Sequence, residues 1–210
     1  KHTVFGGKLI SNGYGAFIEF GRIKTVKKGL LFQLELSEYK STREEKRSNF
    51  IGAYSTPYIF GKQNFFYPVK LGVQQQVLFG NKSNKNGVSI TGNYGGGVSV
   101  GLLRPYYVQL SGTNSYIKYD SKDSLLFLGP GGIGGGPGLG KGWSDMEVTP
   151  GAYVKTSLRF DYGSYNEVVS ALEVGIVADF YSKKIPIMVH EKQKQFFFTG
   201  YVSLLFGRRR

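Results

Sequence analysis

The chain has 210 residues, 31 of them glycine, with no cysteine and a formal charge of +13 from 27 Lys and Arg against 14 Asp and Glu. The length holds one domain, or two small ones, and the absence of cysteine excludes disulfides, thiolate nucleophiles and cysteine-held zinc. Fifteen Tyr and 16 Phe beside two Met argue against disorder and favour strands over helices.

The ordering signal is alternation with a period of two, that of a strand whose two faces meet different surroundings. Residues 3–10 form a first strand, with Lys8 inside and Phe5 and Leu9 outside. Ser11-Asn12-Gly13 is an Asn-Gly hairpin turn. Residues 14–20 set Ala16, Ile18 and Phe20 against Gly15 and Glu19, with a register change expected near Arg22. Residues 30–40 set Leu30, Phe32, Leu34 and Leu36 against Gln33, Glu35 and Ser37. In residues 69–79, Val69, Leu71, Val73, Val77 and Phe79 share a face that Gln75 interrupts. Residues 88–102 oppose Ile90, Tyr94, Val98 and Val100 to Thr91, Asn93 and Ser99. Residues 151–162 oppose Val154, Leu158 and Phe160 to Lys155, Arg159 and Asp161. Residues 167–180 oppose Val174, Ile176 and Phe180 to Glu173 and Asp179, with Ser170 an exception on the apolar face. Residues 195–207 oppose Phe196, Phe198, Val202, Leu204 and Phe206 to Thr199, Tyr201 and Ser203.

These are eight strands of about 8 to 16 residues, longer than the roughly 5–6 of globular sheets and long enough for tilted membrane strands of about 9–11. Eight strands make a barrel just wide enough to fill with side chains. The second, fourth and sixth connections are short; the third, fifth and seventh, near 41–64, 104–148 and 181–194, are long. Outer-membrane barrels pair short periplasmic turns with long extracellular loops. With periplasmic termini the parity fits, and only the first external connection is unusually short. No 20-residue apolar helix is present, and no apolar leader core is in view at the opening Lys1-His2-Thr3-Val4.

Period two does not say which face is inside. A soluble, ligand-holding barrel would point the apolar face inward. The polar face here is rich in Gly, Ser and Thr and carries both signs, so Lys8, Lys70, Lys155 and Arg159 can meet Glu19, Glu35, Glu173 and Asp161. Buried charges must be paired. The expected fold is therefore an all-β, eight-stranded antiparallel up-and-down transmembrane barrel, one domain over 1–210, plugged by ion pairs.

The last strand, Phe196, Phe198, Tyr201, Leu204 and Phe206 among its residues, resembles the terminal assembly signal of outer-membrane proteins. It departs from barrels that end on the aromatic, because Gly207 and Arg208–Arg210 follow Phe206. With the preceding Ser182-Lys183-Lys184-Ile185-Pro186-Ile187-Met188, the chain is similar to small outer-membrane β-barrel proteins of Bacteroidota. That resemblance implies bacterial outer-membrane localisation. It also implies a structural or accessory role in a larger assembly, such as barrel-assembly or secretion machinery.

Catalytic signals are weak. Gly140-Lys141 lacks the Ser or Thr of a phosphate-binding loop, since Gly142 follows. His190 with Glu191 and Ser182 is the only local set for a lipid A-modifying enzyme, and strand spacing does not build a triad from it. No catalytic, cofactor or metal site is expected. Phe50, Tyr54, Tyr58 and Phe60 in the first long loop, and Trp143 beyond the glycine-rich stretch, are candidates for contact with protein partners. The +13 first suggests nucleic acid, but the aromatics lie on apolar faces rather than among the basic residues. The cations gather at strand ends, where outer-membrane lipid and lipopolysaccharide phosphates are the expected counterions.

Overall fold

A computed structural model describes residues 2–25, 28–48, 56–81, 87–110, 115–119, 133–136, 140–163 and 168–209. Eight long strands close into one antiparallel barrel: β1 (His2–Ile10), β2 (Gly13–Thr25), β3 (Lys28–Tyr39), β4 (Asn64–Gly80), β5 (Ser89–Pro105), β6 (Glu147–Asp161), β7 (Val168–Ile185) and β8 (Lys194–Arg209). Each strand pairs with its neighbours in sequence, and β1 closes the ring on β8 from His2↔Arg209 to Ile10↔Tyr201. Among the described residues there is no helix. Both described termini and the second, fourth and sixth connections lie at one end; the long loops and the two-residue Ser11–Asn12 turn lie at the other.

Alternation settles which face is which. Lys8, Glu19, Glu35, Lys70, Lys155, Arg159, Asp161 and Glu173 are all buried inside. Leu9, Val154 and Phe198 stand outside at 71, 63 and 62% exposure. An apolar face at that exposure is not the wall of a soluble ligand carrier. Gln75 keeps its parity on the outer wall and accepts a 2.9 Å hydrogen bond from the Tyr94 hydroxyl across the β4–β5 pair. The break in that row is thus a change of residue and not of register. The register change expected near Arg22 falls between Ile23 and Thr25.

The wall is uneven in height. β1 has 9 residues, whereas β4, β5 and β7 have 17, 17 and 18. The expected loop at 181–194 accordingly starts later, because β7 continues to Ile185 with Tyr181 and Ile185 still packed inside. The expected loops at 41–64 and 104–148 contain their own strands. Lys46–Arg47 pairs with Tyr58–Ile59, and Tyr107–Leu110 is central to a sheet with Tyr116–Lys118 and Ile133–Gly135.

Inward glycines make room for rings. A Cβ at Gly101 would fall 2.7 Å from the Phe66 ring and 3.1 Å from that of Tyr181. An eight-stranded barrel closed by eight neighbour pairings has no free edge to melt from. Unheated protein in dodecyl sulfate is therefore expected to migrate differently from boiled protein on a gel. Identical migration would count against a closed barrel.

Candidate functional site

Three zones fill the interior. Toward the terminal end, Val4, Phe17, Val169, Ala171 and Leu205 form an apolar plug. Toward the loop end, Tyr39, Phe66, Tyr153, Tyr181 and Phe197 form an aromatic lid with Ile185, Ile187 and Met188. The rings meet mostly edge to face, as Phe66 and Tyr181 do at 5.2 Å and 79°, the arrangement their quadrupoles favour. Phe66 and Tyr181 have no exposed surface.

Between plug and lid lies the charge network. Arg159 on β6 holds Glu19 on β2 with two parallel bonds, Nη1 to Oε1 at 2.8 Å and Nη2 to Oε2 at 2.7 Å. Its Nε donates to Glu173 on β7 at 2.8 Å. Glu173 also accepts from the Tyr201 hydroxyl at 2.6 Å and lies 3.0 Å from Lys155 Nζ. Lys155 donates onward to Gln33 Oε1 at 3.0 Å. Nearer the lid, Lys8 donates to both Glu35 oxygens at 2.9 and 2.7 Å. Lys70 lies 2.8 Å from Asp179 Oδ1 and donates to the Tyr39 hydroxyl at 2.7 Å, which donates to Asp179 Oδ2 at 2.7 Å.

One assignment is added to the sequence reading. Asp161, expected among the partners of the interior cations, is buried inside and accepts from the Gly163 backbone N–H at 3.0 Å at the turn after β6. Asp179, read only as a polar-face residue, supplies the carboxylate for Lys70. Strand position explains both: Asp161 is the last residue of β6, while Asp179 lies well inside β7.

Above the barrel the long loops pack into a cap. Tyr58, Tyr106, Val108 and Ile133 form its core. The Tyr106 hydroxyl accepts from Ile59 N at 2.8 Å, and Gln63 N and Val189 N donate to Ile187 O and Gly61 O, both at 2.8 Å. Gly61 turns this crossing with φ +67°, which favours glycine. Lys62 is buried against Glu44 at 2.8 Å, and burial pushes its ammonium below the ordinary range while Glu44 opposes the shift. Glu191 accepts from the Ser41 hydroxyl at 2.6 Å, and that bond, with Lys194 at 3.3 Å, holds its carboxyl below the usual range.

The aromatic residues proposed for partners divide accordingly. Tyr58 is spent inside the cap and is not an exposed contact, because the sheet hydrogen bonds of Arg47 and Tyr58 carry it under the loops. Phe60 is half-buried, stacked on His190 at 6.4 Å with the Arg47 guanidinium 4.4 Å from its ring. Trp143 stays 52% exposed, stacked on Tyr67 at 6.2 Å with Arg104 at 4.7 Å. Phe50 and Tyr54 lie outside the described residues. In the terminal strand Phe196, Phe198, Leu204 and Phe206 face outward, and Tyr201 faces inward onto Glu173. Ser182, His190 and Glu191 are not joined: His190 stacks on Phe60 and Glu191 is held by Ser41.

No protein-family model matches the chain, and no curated protein matches it. Among solved structures it is similar to Neisserial surface protein A, at 13% identity and a TM-score of 0.43, covering 100% of this chain and 95% of that one. It is similar to the N-terminal β-barrel domain of Pseudomonas aeruginosa OprF at 11% and 0.40, covering 98% and 95%. It is also similar to Ail, the attachment invasion locus protein of Yersinia pestis, solved with the heparin analogue sucrose octasulfate, at 9% and 0.42, covering 100% and 95%. The barrel assignment stands on this chain's own strand pairing.

Removing one member of a buried ion set strands the others, at a cost of about 3–5 kcal/mol. Arg159→Ala leaves Glu19 and Glu173 facing each other and is expected to lower stability by that order in urea unfolding of the detergent-folded barrel. Replacing Arg159 and Glu19 together by Met and Leu removes one cation with one carboxylate, leaves Glu173 paired with Lys155, and is expected to cost far less. An Arg159→Ala protein as stable as the parent would refute the interior network as the structural core.

Proposed function

We propose that the chain is an integral bacterial outer-membrane β-barrel with a closed, salt-bridged interior. It acts as a structural or accessory subunit, an anchor in an envelope protein complex such as barrel-assembly or secretion machinery. The observation that carries this reading is the inversion of the usual soluble pattern: the ion pairs are inside and the apolar residues outside. A bilayer is the solvent in which that arrangement is stable, since the strands pair in a closed ring without a free edge.

The rims support the placement. Phe20, Phe79, Tyr162 and Phe206 stand outward toward the terminal end; Tyr14, Phe180, Phe196 and Phe198 stand outward toward the loop end. Aromatic girdles of this kind mark the two interfaces of membrane barrels. Exposed Lys183, Lys184, Lys192 and Lys194 at the loop end, and Lys28 and Arg208 at the other, suit the phosphates of lipid and lipopolysaccharide. Nucleic acid is not a partner in this reading.

The anchor role follows from what each part can still offer. The interior charges are paired with one another, so the reading assigns no reacting atom, cofactor or ion a place there and includes no catalysis. The packed cap and exposed Trp143 are what remains to meet other proteins. Purification from native membranes in mild detergent is expected to recover partner proteins in fixed stoichiometry, and fewer of them after Trp143→Ala. Recovery of the chain alone would sink the anchor role. Purified protein in planar bilayers is expected to give no steady conductance, because lid and plug close both ends; open-pore currents would establish a channel instead.

A further inference from the structure

Between the rims of β4, β5 and β6 the outer wall carries one polar row. Gln75 on β4 is paired by register with Tyr94 on β5, and Tyr94 with Thr156 on β6. All three side chains are on the outer face, and each is bracketed along its strand by apolar or glycine neighbours on that face. Val73 and Val77 flank Gln75, Gly92 and Gly96 flank Tyr94, and Val154 and Leu158 flank Thr156. The row therefore lies within the apolar band and not at its rim. Beside it the wall is hollowed into a groove of about 340 Å³ lined by Phe79, Gly92, Tyr94, Thr156, Leu158 and Ile176. Gly92 is what opens it: a Cβ there would fall 2.6 Å from the Phe79 ring laid across it.

Hydrocarbon does not hydrogen-bond, so an amide facing lipid needs a partner. The Tyr94 hydroxyl satisfies the Gln75 carbonyl at 2.9 Å. Among the described residues nothing satisfies the two N–H groups of the Gln75 amide, and the Tyr94 oxygen, having given its proton, still accepts. The row is uncharged and carries donors and acceptors together, so the surface that complements it is neutral, apolar around a polar centre, and equally mixed in donors and acceptors. The same wall of a second copy has those properties.

We infer that the β4–β6 wall is a lateral interface between two copies of this chain, centred on Tyr94. A two-fold axis along the membrane normal keeps both copies in one orientation and makes the contact self-complementary. Gln75 Nε2 of each copy then donates to Tyr94 Oη of the other. Such polar contacts in lipid add to van der Waals packing against the neighbour, here by Leu158, Val174 and Ile176 along the groove. The inference rests on the membrane placement proposed above, and not on the anchor role.

The absence of cysteine permits a direct test. Val73→Cys and Leu158→Cys place single thiols beside the row; Ile18→Cys and Val202→Cys place them outward on β2 and β8, away from it. Each purified protein, confirmed folded by its unheated gel mobility, is reconstituted alone in phosphatidylethanolamine–phosphatidylglycerol vesicles and oxidised with copper phenanthroline. Disulfide dimer is expected about tenfold more from the β4 and β6 thiols than from the others, and that excess is expected to vanish with Gln75→Leu and Tyr94→Phe together. Equal yields at all four positions, or an excess indifferent to the double substitution, would overturn the interface. Loss of another envelope protein from the native pulldown on the double substitution, without self-crosslinking, would assign the wall to that protein and overturn the dimer while leaving the anchor role intact. Failure of all variants to fold into vesicles would refute the membrane placement, and the interface with it.

Discussion

Everything inside this barrel depends on the pairing of buried charges with one another. Eight strands enclose little more than their own side chains, and four interior cations, Lys8, Lys70, Lys155 and Arg159, share that space with Glu19, Glu35, Asp161, Glu173 and Asp179. A lone ion there would carry a desolvation penalty of several kcal/mol, a large share of a domain's whole stability. Arg159 resolves the worst case by lying between two glutamates, with a planar fork for one and Nε for the other. Its fixed geometry is why arginine and not lysine suits the position. The β2, β6 and β7 walls are thereby tied across the lumen as well as around it.

The network also relocates the protein's charge. Interior cations are outnumbered by interior carboxylates among the described residues, so the excess of +13 belongs to turns, rims, cap and termini. A strongly basic chain usually advertises a polyanion such as nucleic acid. Here the basic residues form two bands separated by an apolar wall, a distribution that matches phosphates at two depths better than a continuous phosphate backbone.

Strands were legible because a barrel wall imposes the same constraint at every second residue. Residues 151–162 sort into Lys155, Arg159 and Asp161 inside and Val154 and Leu158 outside by parity alone, and the fold keeps that sorting. Partners were not legible, because they are set by strand tilt and stagger across the lumen. Arg159 and Glu19 are 140 positions apart, and Lys70 and Asp179 are 109 apart. Nothing in either strand's own sequence reveals the height at which its residues meet the other. The cap was illegible for a different reason. Its strands are two to four residues long, too short to show a period, so Tyr58 reads as an exposed aromatic when it is a core residue.

The same contrast separates what holds the molecule together from what it can still bind. Lumenal charges and rings have met within the chain: carboxylates with cations, tyrosine hydroxyls with carboxylates, rings with rings. A group that is fully satisfied has no affinity left for a ligand. Exposed chemistry is found in the indole of Trp143 and the basic rim at the loop end, and an unmet donor in the amide of Gln75 on the wall. Cap and wall face different surroundings, one aqueous and the other the plane of the bilayer. The proposed anchor role would draw on both: a surface open to the aqueous side, and a wall chemistry that decides what sits beside it in the membrane.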